Sequence, residues 1–318
     1  MAKVAYVGAK KEIAFTKETV AGTAVNHAAG DWQPHEGFDM KPIVTKVKDE
    51  PGMGRIEKTL NSSIVQTHSS GTATFRLTKE FAGDILNMIF GKAPTTTGSG
   101  TYTHAYTIQN TNNHVSYTTT VKDPIKGMIR YPYTILNEAS FTFEVDKYPM
   151  VQLQLEAGQE QSATGTSSYS TTDEYFKPQH IIIKLANNLA GLTGASAYDV
   201  HKLELQVIKE VDKYFKLGST NPDNIHNQRM GFGGTLTNLY GDTELRDLAH
   251  TDTKKAMSIL VSNGTDSIEF KFPQVAFEEW SDDGDNNARL LNSVNFFPEY
   301  SLTDGLATAT LINSVSSY

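Results

Sequence analysis

The clearest periodic pattern in the chain lies between Gly71 and Gly91, where a two-residue alternation changes into a helical repeat. Apolar residues alternate with Thr and Arg up to Leu77, which predicts a half-buried strand. Thr78 then occupies the place of an N-cap, and Gly91 that of a left-handed C-cap. The apolar face of the predicted helix carries Phe81, Ile85 and Ile89.

A weaker copy of this strand–helix pattern begins at Gly234. Its strand carries Leu236 and Leu239, its cap is Asp242 or Thr243, and its helical stripe is Leu245, Leu248 and Ala249. Gly71 and Gly234 are 163 residues apart, whereas Pro132 and Pro273 are 141 apart. The difference of 22 residues is about the length of the segment 92–114, which the second half lacks. We therefore predict a duplicated domain.

The rest of the chain alternates over many short runs, so the predicted fold class is mainly β with two helices. Residues 159–172, QEQSATGTSSYSTT, are rich in Ser, Thr and Gly and poor in apolar side chains, which is typical of a linker. The predicted organisation is a first domain over residues 1–158, a linker over 159–172 and a second domain over 173–318.

Residues 49–70 form a long segment between two predicted strands, with little to bury. One interpretation is a surface loop; the other is an arm that becomes ordered against a neighbouring copy of the protein. The candidate contact residues of this arm are Met53, Arg55, Ile56, Leu60, Ile64 and Val65. The Pro- and Asn-rich segment 218–230 occupies the matching place in the second half.

Composition narrows the classes of function. The 318 residues carry a net charge of −8 and a pI of about 5.6, which disfavours binding nucleic acid through its phosphates. There is no cysteine, which excludes disulfides, zinc thiolate sites and thiol catalysis, and is typical of a chain folded in a reducing cytosol. No apolar run approaches the length of a transmembrane helix, and the N-terminus lacks the apolar core of a secretion signal.

No catalytic, metal or cofactor motif emerges, so we predict neither an enzyme nor a bound cofactor. The glycines of 231–234 precede a predicted strand, whereas a phosphate site needs a helix N-terminus. The run 282–287 fails the calcium-loop pattern, because Ala288 and Val294 stand where Gly and Glu are required. An acidic edge remains at Glu278, Glu279, Asp282, Asp283 and Asp285. It provides solubility or forms a negative wall that repels a polyanion.

Several segments together resemble the phage tail tube proteins, in their branch of longer members. They are FTKETVAGTAVN, KDEPGMGRIEK, SSGTATFRLTKEFAGDILNMIFGKAPTTTGSGTYTHAYTI, VSYTTTVKD and FPQVAFEEW. The resemblance implies two tandem β-sandwich or half-barrel domains of tail-tube type, each with a flanking α-helix. Each domain would contribute a four-stranded sheet to the inner wall of a ring, and stacked rings would form a hollow tube.

A two-domain subunit favours a trimeric ring with pseudo-sixfold symmetry, with a hexamer as the alternative. The implied partners are further copies of the chain and other tail proteins: tape measure, terminator, and baseplate or tip. DNA would pass without specific binding, no membrane would be involved, and the subunit would assemble in the host cytoplasm and reside in the virion tail. The alternative function is a β-sandwich that binds carbohydrate or a host surface, with Tyr169, Tyr175 and Tyr240 as candidate ligand-stacking residues.

Overall fold

The computed structural model describes residues 7–241, 243–283 and 289–318, and it is mainly antiparallel β-structure. The two α-helices are α1 (Ala82–Phe90) and α2 (Glu244–Thr251). Short 3-10 helices cover Gly8–Lys10, Pro178–His180 and Leu189–Thr193. The strands are β1 (Glu12–Lys17), β2 (Trp32–Gln33), β3 (Gly37–Asp49), β4 (Asn61–Arg76), β5 (Thr95–Ser99), β6 (Thr101–Thr107), β7 (Tyr117–Asp123), β8 (Gly127–Glu144), β9 (Met150–Ala157), β10 (Gln161–Ser162), β11 (Ile181–Ala186), β12 (Ala197–Tyr198), β13 (Lys202–Ile208), β14 (Val211–Phe215), β15 (Pro222–Asn227), β16 (Gly231–Leu239), β17 (Lys255–Ser262), β18 (Ser267–Asp283), β19 (Leu291–Pro298) and β20 (Thr308–Asn313).

Both halves of the chain repeat one order of strand pairing. In the first half, β3-β4-β9-β8 forms one sheet, and the start of β8 continues into a second sheet with β7, β1, β2 and β10. The second half gives β13-β16-β19-β18, and β18 likewise continues into a sheet with β17, β11, β12 and β20. The hairpin β5–β6 follows α1, where spacing predicts an insertion, and β6 pairs with β20.

The long strands β8 and β18 each bend where they pass from one sheet to the other. In β8 the bend follows Pro132, and Tyr133 takes a left-handed conformation with a φ of 56°. The buried carboxylate of Glu18 accepts a 2.8 Å hydrogen bond from the N–H of Tyr133, together with bonds from the hydroxyls of Ser116 and Thr118. These hydrogen bonds stabilise the left-handed conformation of Tyr133. The bend in β8 is therefore held by specific contacts.

One hydrophobic core contains residues of both halves. Phe15 of β1 and Phe75 of β4 meet edge to face at 5.7 Å, which joins the two sheets of the first half. Phe141 of β8 meets Phe270 of β18 at 5.6 Å, which joins the halves. Burying each such ring contributes about 1.5–3 kcal/mol relative to leaving it exposed.

Both predicted helices form, but the predicted cap of the first is wrong. Residues 79–81 form a turn, and α1 begins after Phe81 without a side-chain cap. The N–H of Glu80 is instead bonded by the carboxylate of Asp173, 93 residues away, which local pattern could not reveal. The left-handed cap at Gly91 is confirmed by its φ of 79°.

The predicted loop over residues 49–70 is wrong in its second part. Asn61 to Ser70 belong to β4, and β3 with β4 forms an extended hairpin in which Asp49 pairs with Asn61. Residues 61–65 are exposed, so no face of this strand end shows the apolar alternation that marks a strand. We call residues 43–67 the arm.

The segment predicted as a linker lies against the first half of the chain. Its strand β10 pairs with β8, Tyr169 bridges to Trp32, and the Thr172 hydroxyl donates to Glu80. The halves are joined further along, where β8 pairs with β13. The division into domains at residues 159–172 stays a prediction.

Gly71 and Gly234 occupy matching positions of very close backbone approach. A Cβ at Gly234 would lie 2.0 Å from the carbonyl oxygen of Glu204. Replacing Gly234 by Ala should therefore lower the free energy of unfolding by about 1–3 kcal/mol, measured by chemical denaturation. Gly231→Ala, in the same strand with open space at its Cβ, is the control and should change it by less than about 0.5 kcal/mol. Equal effects would contradict the packing argument.

Candidate assembly surface

Eight strands form one continuous antiparallel sheet that crosses both halves of the chain. Its order is β3-β4-β9-β8-β13-β16-β19-β18, and we call it the front sheet. Strands β3 and β18 are its outer members.

The two faces of the front sheet differ in polarity. One row of paired residues is apolar and faces the core: Ala73, Leu153, Ala139, Val207 and Phe232. The adjacent row lies on the other face and is polar: Thr74, Gln152, Ser140, Gln206 and Gly233. Because alternate residues of a strand point to opposite sides, the whole sheet has a buried apolar face and a hydroxyl- and amide-rich polar face.

The charges on the polar face are mainly carboxylates tied to neighbouring groups. The ammonium group of Lys202 lies 3.1 Å from Glu144 and 2.7 Å from Glu204. Hydrogen bonds from Lys147 and Lys202 lower the pKa of Glu144. Gln206 donates to Glu138 at 2.5 Å. The described residues of the polar face therefore offer no cluster of free cations that could hold a phosphate backbone.

The outer edge of β3 is free and basic. Within the described residues β3 pairs only with β4, and residues 41–50 are all exposed. Pro42, which has no N–H to donate, lies in this edge strand. Its three lysines, Lys41, Lys46 and Lys48, outnumber its two carboxylates, Asp39 and Asp49, and the ammonium group of Lys41 lies 3.6 Å from Asp39.

The end of β18 forms the opposite free edge, and it is acidic. Beyond Val275 the described pairings of β18 are with β19 alone. Glu278, Glu279 and Asp282 are exposed here, and Asp283 pairs with Leu291 through its backbone. Glu279 lies in a bulge with a φ of 52° and accepts a 2.7 Å bond from Asn295. The remaining residue of the predicted acidic edge, Asp285, lies outside the described residues.

The arm carries the six residues predicted as contacts, and all of them are exposed. Met53, Arg55 and Ile56 lie in the connection between the strands, and Leu60 immediately precedes β4. Ile64 and Val65 lie in β4 itself. Residues 43, 44 and 47 add further exposed apolar side chains. The arm therefore exposes an apolar surface of the kind that marks a site of protein–protein contact.

A second hairpin, β14–β15, packs against the base of the arm. The N–H of Thr67 donates to the carbonyl of Thr220 at 2.7 Å, and Lys213 pairs with Glu156 at 2.8 Å. The Pro- and Asn-rich segment 218–230, whose position matches that of the arm, supplies the turn and β15 of this hairpin.

Two ionisable residues, the buried Lys209 and the half-buried Asp84, could not be recognised from the sequence pattern. Lys209 is 1% exposed, its ammonium group donates to the carbonyl of Met88 at 2.5 Å, and burial lowers its pKa to about 7. Burial raises the pKa of Asp84 in α1 to about 7, although the Tyr117 hydroxyl donates to it at 3.0 Å. Lys209 lies directly after an alternating strand, so its sequence position does not distinguish it from an exposed lysine.

The three tyrosines considered for ligand stacking do not form one site. Tyr175 packs beside Tyr148 and Arg76. Tyr240 packs against Trp280, and Tyr169 lies near Trp32. Among the described side chains, no group of three or more His, Asp or Glu residues could hold a metal ion.

The family model described as Phage tail tube protein matches residues 8–296 of the 318. The chain belongs to the phage tail tube protein family. It is a structural component of the virion tail, and this agrees with the β-rich fold and the polar sheet.

No curated protein matches this tail tube protein. Of the helices in the described part of the chain, none has the length and apolarity to span a membrane.

Proposed function

We propose that this tail tube protein assembles edge to edge into rings, and that the rings stack into a conduit for DNA. The observation that carries the proposal is the front sheet, which combines a polar face with one basic and one acidic free edge. Free strand edges lead to uncontrolled pairing unless a partner covers them, and ring closure covers both. The role is structural and not catalytic.

Three copies per ring are the favoured number. Three copies of eight strands give 24, and strands about 4.8 Å apart make a circle of at least ~115 Å, or a backbone diameter of about 37 Å or more. That bore admits a DNA duplex after side chains are counted. The repeated strand order of the two halves would then give pseudo-sixfold symmetry, with each half acting as one domain. Six copies would double the strand number and leave a bore far wider than a duplex needs.

The polar face of the front sheet is the proposed lumen. The carboxylates of this face repel a polyanion, and its neutral hydroxyl and amide groups add no cation that could hold the phosphates. We therefore expect DNA to pass through the lumen without specific binding. The arm points away from the packed core and is proposed to contact the adjacent ring, through the exposed residues named above. End rings would meet tape measure, terminator and baseplate or tip proteins, after assembly in the host cytoplasm.

Adding cations to the polar face should convert this surface into one that holds DNA. The double variant Gln152→Lys/Gln154→Lys should still form tubes but retain duplex DNA at low salt, with retention falling steeply as salt rises. Co-sedimentation of tubes with DNA measures this. The control Leu302→Lys/Thr303→Lys adds the same charge in an exposed connection outside the front sheet, and it should retain much less DNA. Equal retention by both variants would count against the lumen assignment.

Negative-stain electron microscopy of the purified protein tests the assembly itself. Rings or hollow tubes are expected on concentration. A persistent monomer that binds glycans would support the alternative of a carbohydrate- or host-surface-binding β-sandwich.

A further inference from the structure

The chain already contains one edge-to-edge junction of the kind that ring assembly needs. The end of β8 in the first half pairs with β13 of the second, from Glu138 opposite Ile208 to Glu144 opposite Lys202. The end of β18 and the outer edge of β3 are the matching positions that have no partner in the described chain. The internal junction is therefore a template for the external one.

The two halves can be superposed residue by residue through their pairing. Gly71 and Gly234 make the same close approach, and they pair with Met40 and Leu205 respectively. Residues of β3 thus correspond to residues of β13 with numbers higher by 165. On the other side of these glycines lie Leu155 and Phe296.

Leu155 and Phe296 in turn face Leu136 and Phe277. Residues of β8 thus correspond to residues of β18 with numbers higher by 141, the same spacing that separates Pro132 from Pro273. The two shifts, 165 for β3 to β13 and 141 for β8 to β18, are thus fixed by backbone pairing and not by sequence identity.

From this we infer that the end of β18 pairs antiparallel with β3 of a second copy, in one defined register. The internal pair Glu138–Ile208 becomes Glu279 opposite Ile43, because 138 + 141 = 279 and 208 − 165 = 43. By the same shift, Ser281 lies opposite Lys41. The inference rests on the proposed ring assembly and adds the partner surface and its register.

Charge supports this partner. Across the internal junction the amide of Gln206 donates to Glu138 at 2.5 Å, and the same two shifts carry these residues to Lys41 and Glu279. In the external junction, Lys41 of one copy lies diagonally next to Glu279 of the other, within reach of a long side chain. A lysine of β3 thereby stands next to a glutamate of the acidic edge, where the internal junction has a glutamine beside a glutamate.

The arm supplies a second contact in the same geometry. Within the chain, the β14–β15 hairpin crosses the base of β4 and the end of β9, at Thr67 and Glu156. Their counterparts in the second half, shifted by 163 and 141, are Met230 and Phe297. Met230 lines a cleft of about 450 Å³ together with Tyr300, and Phe297 is exposed. The base of a neighbour's arm would therefore cover this cleft.

Cysteine pairs test the register, because the natural chain has no cysteine. The variant Lys41→Cys/Ser281→Cys places two thiols opposite each other only across two copies. A short bis-maleimide added to assembled protein should link them. The control Thr45→Cys/Ser281→Cys moves one thiol four residues along β3, and it should give at least about tenfold less covalent dimer because the local thiol concentration falls. Ile43→Cys/Glu279→Cys is an independent second pair.

The outcomes separate the register from the assembly. Strong linkage in both matched pairs with little in the control supports the inference. Rings visible by electron microscopy with no preferential linkage would overturn the register while leaving the proposed function in place. Failure of the unsubstituted protein to form any ring would instead overturn the proposed function.

Discussion

Joining Lys46 to Ile64 through an Asn-Gly turn, in place of residues 47–63, should leave a folded subunit that forms single rings but no tubes. Lys46 and Ile64 are paired in the hairpin, so a two-residue turn can close it there. The pairing of β4 with β9 begins only at Ser69, beyond the deletion. The truncation therefore removes exposed apolar surface and leaves the core intact.

Sedimentation and negative-stain microscopy measure the loss of tube formation, and thermal unfolding verifies that the truncated subunit is folded. Glu57→Ala/Lys58→Ala is the matched control, since it alters the arm tip but keeps its apolar residues and its net charge. The control should form tubes of normal length. Normal tubes from the truncated variant would show that the arm is not a stacking element.

Replacing Lys209 by Met should raise the free energy of unfolding at pH 6 by an amount on the order of 4 kcal/mol, and the gain should shrink as the pH rises. Burial lowers the pKa of Lys209 from 10.5 to about 7. Between these values the unfolded chain binds the proton more often than the folded one, so the stability of the natural protein increases with pH. Below pH 7 the cost of the buried charge is fully present.

Chemical denaturation of both proteins from pH 6 to pH 9.5 measures the effect. Both proteins carry the same tyrosines, so any titration of tyrosine near the upper limit cancels from the difference between them. Lys216→Met removes an exposed lysine and should show no such pH dependence relative to the natural protein. A stability difference for Lys209→Met that stays constant over this range would contradict the argument.

Local pattern was enough to predict most strands and both helices. The alternation before Leu77 and the four-residue repeat after Phe81 reflect burial on one face, and both elements form where that pattern lies. Pro42 has no N–H to donate, which left a late start of β3 or an edge position as alternatives, and the structure shows β3 paired through Pro42 with β4 alone among the described residues. The insertion after α1 follows from the unequal spacing of the glycines and prolines.

Other features depend on contacts that leave no local pattern. The arm continues as a strand because β3 and β4 bond to each other, although both faces of Asn61 to Val65 are exposed. In both β8 and β13, polar residues alternate with apolar ones. Many other strands of the chain share this alternation, so the sequence does not indicate that these two pair. Lys209 is buried because the chain turns inward after β13, where α1 ends beside it.

Electron cryomicroscopy of assembled particles tests the central claim most directly, namely that sister copies complete the front sheet. The expected map has three subunits per ring and a closed inner sheet in which β18 of one subunit adjoins β3 of the next. A map in which both strands still border solvent, or in which six subunits surround the bore, would contradict it.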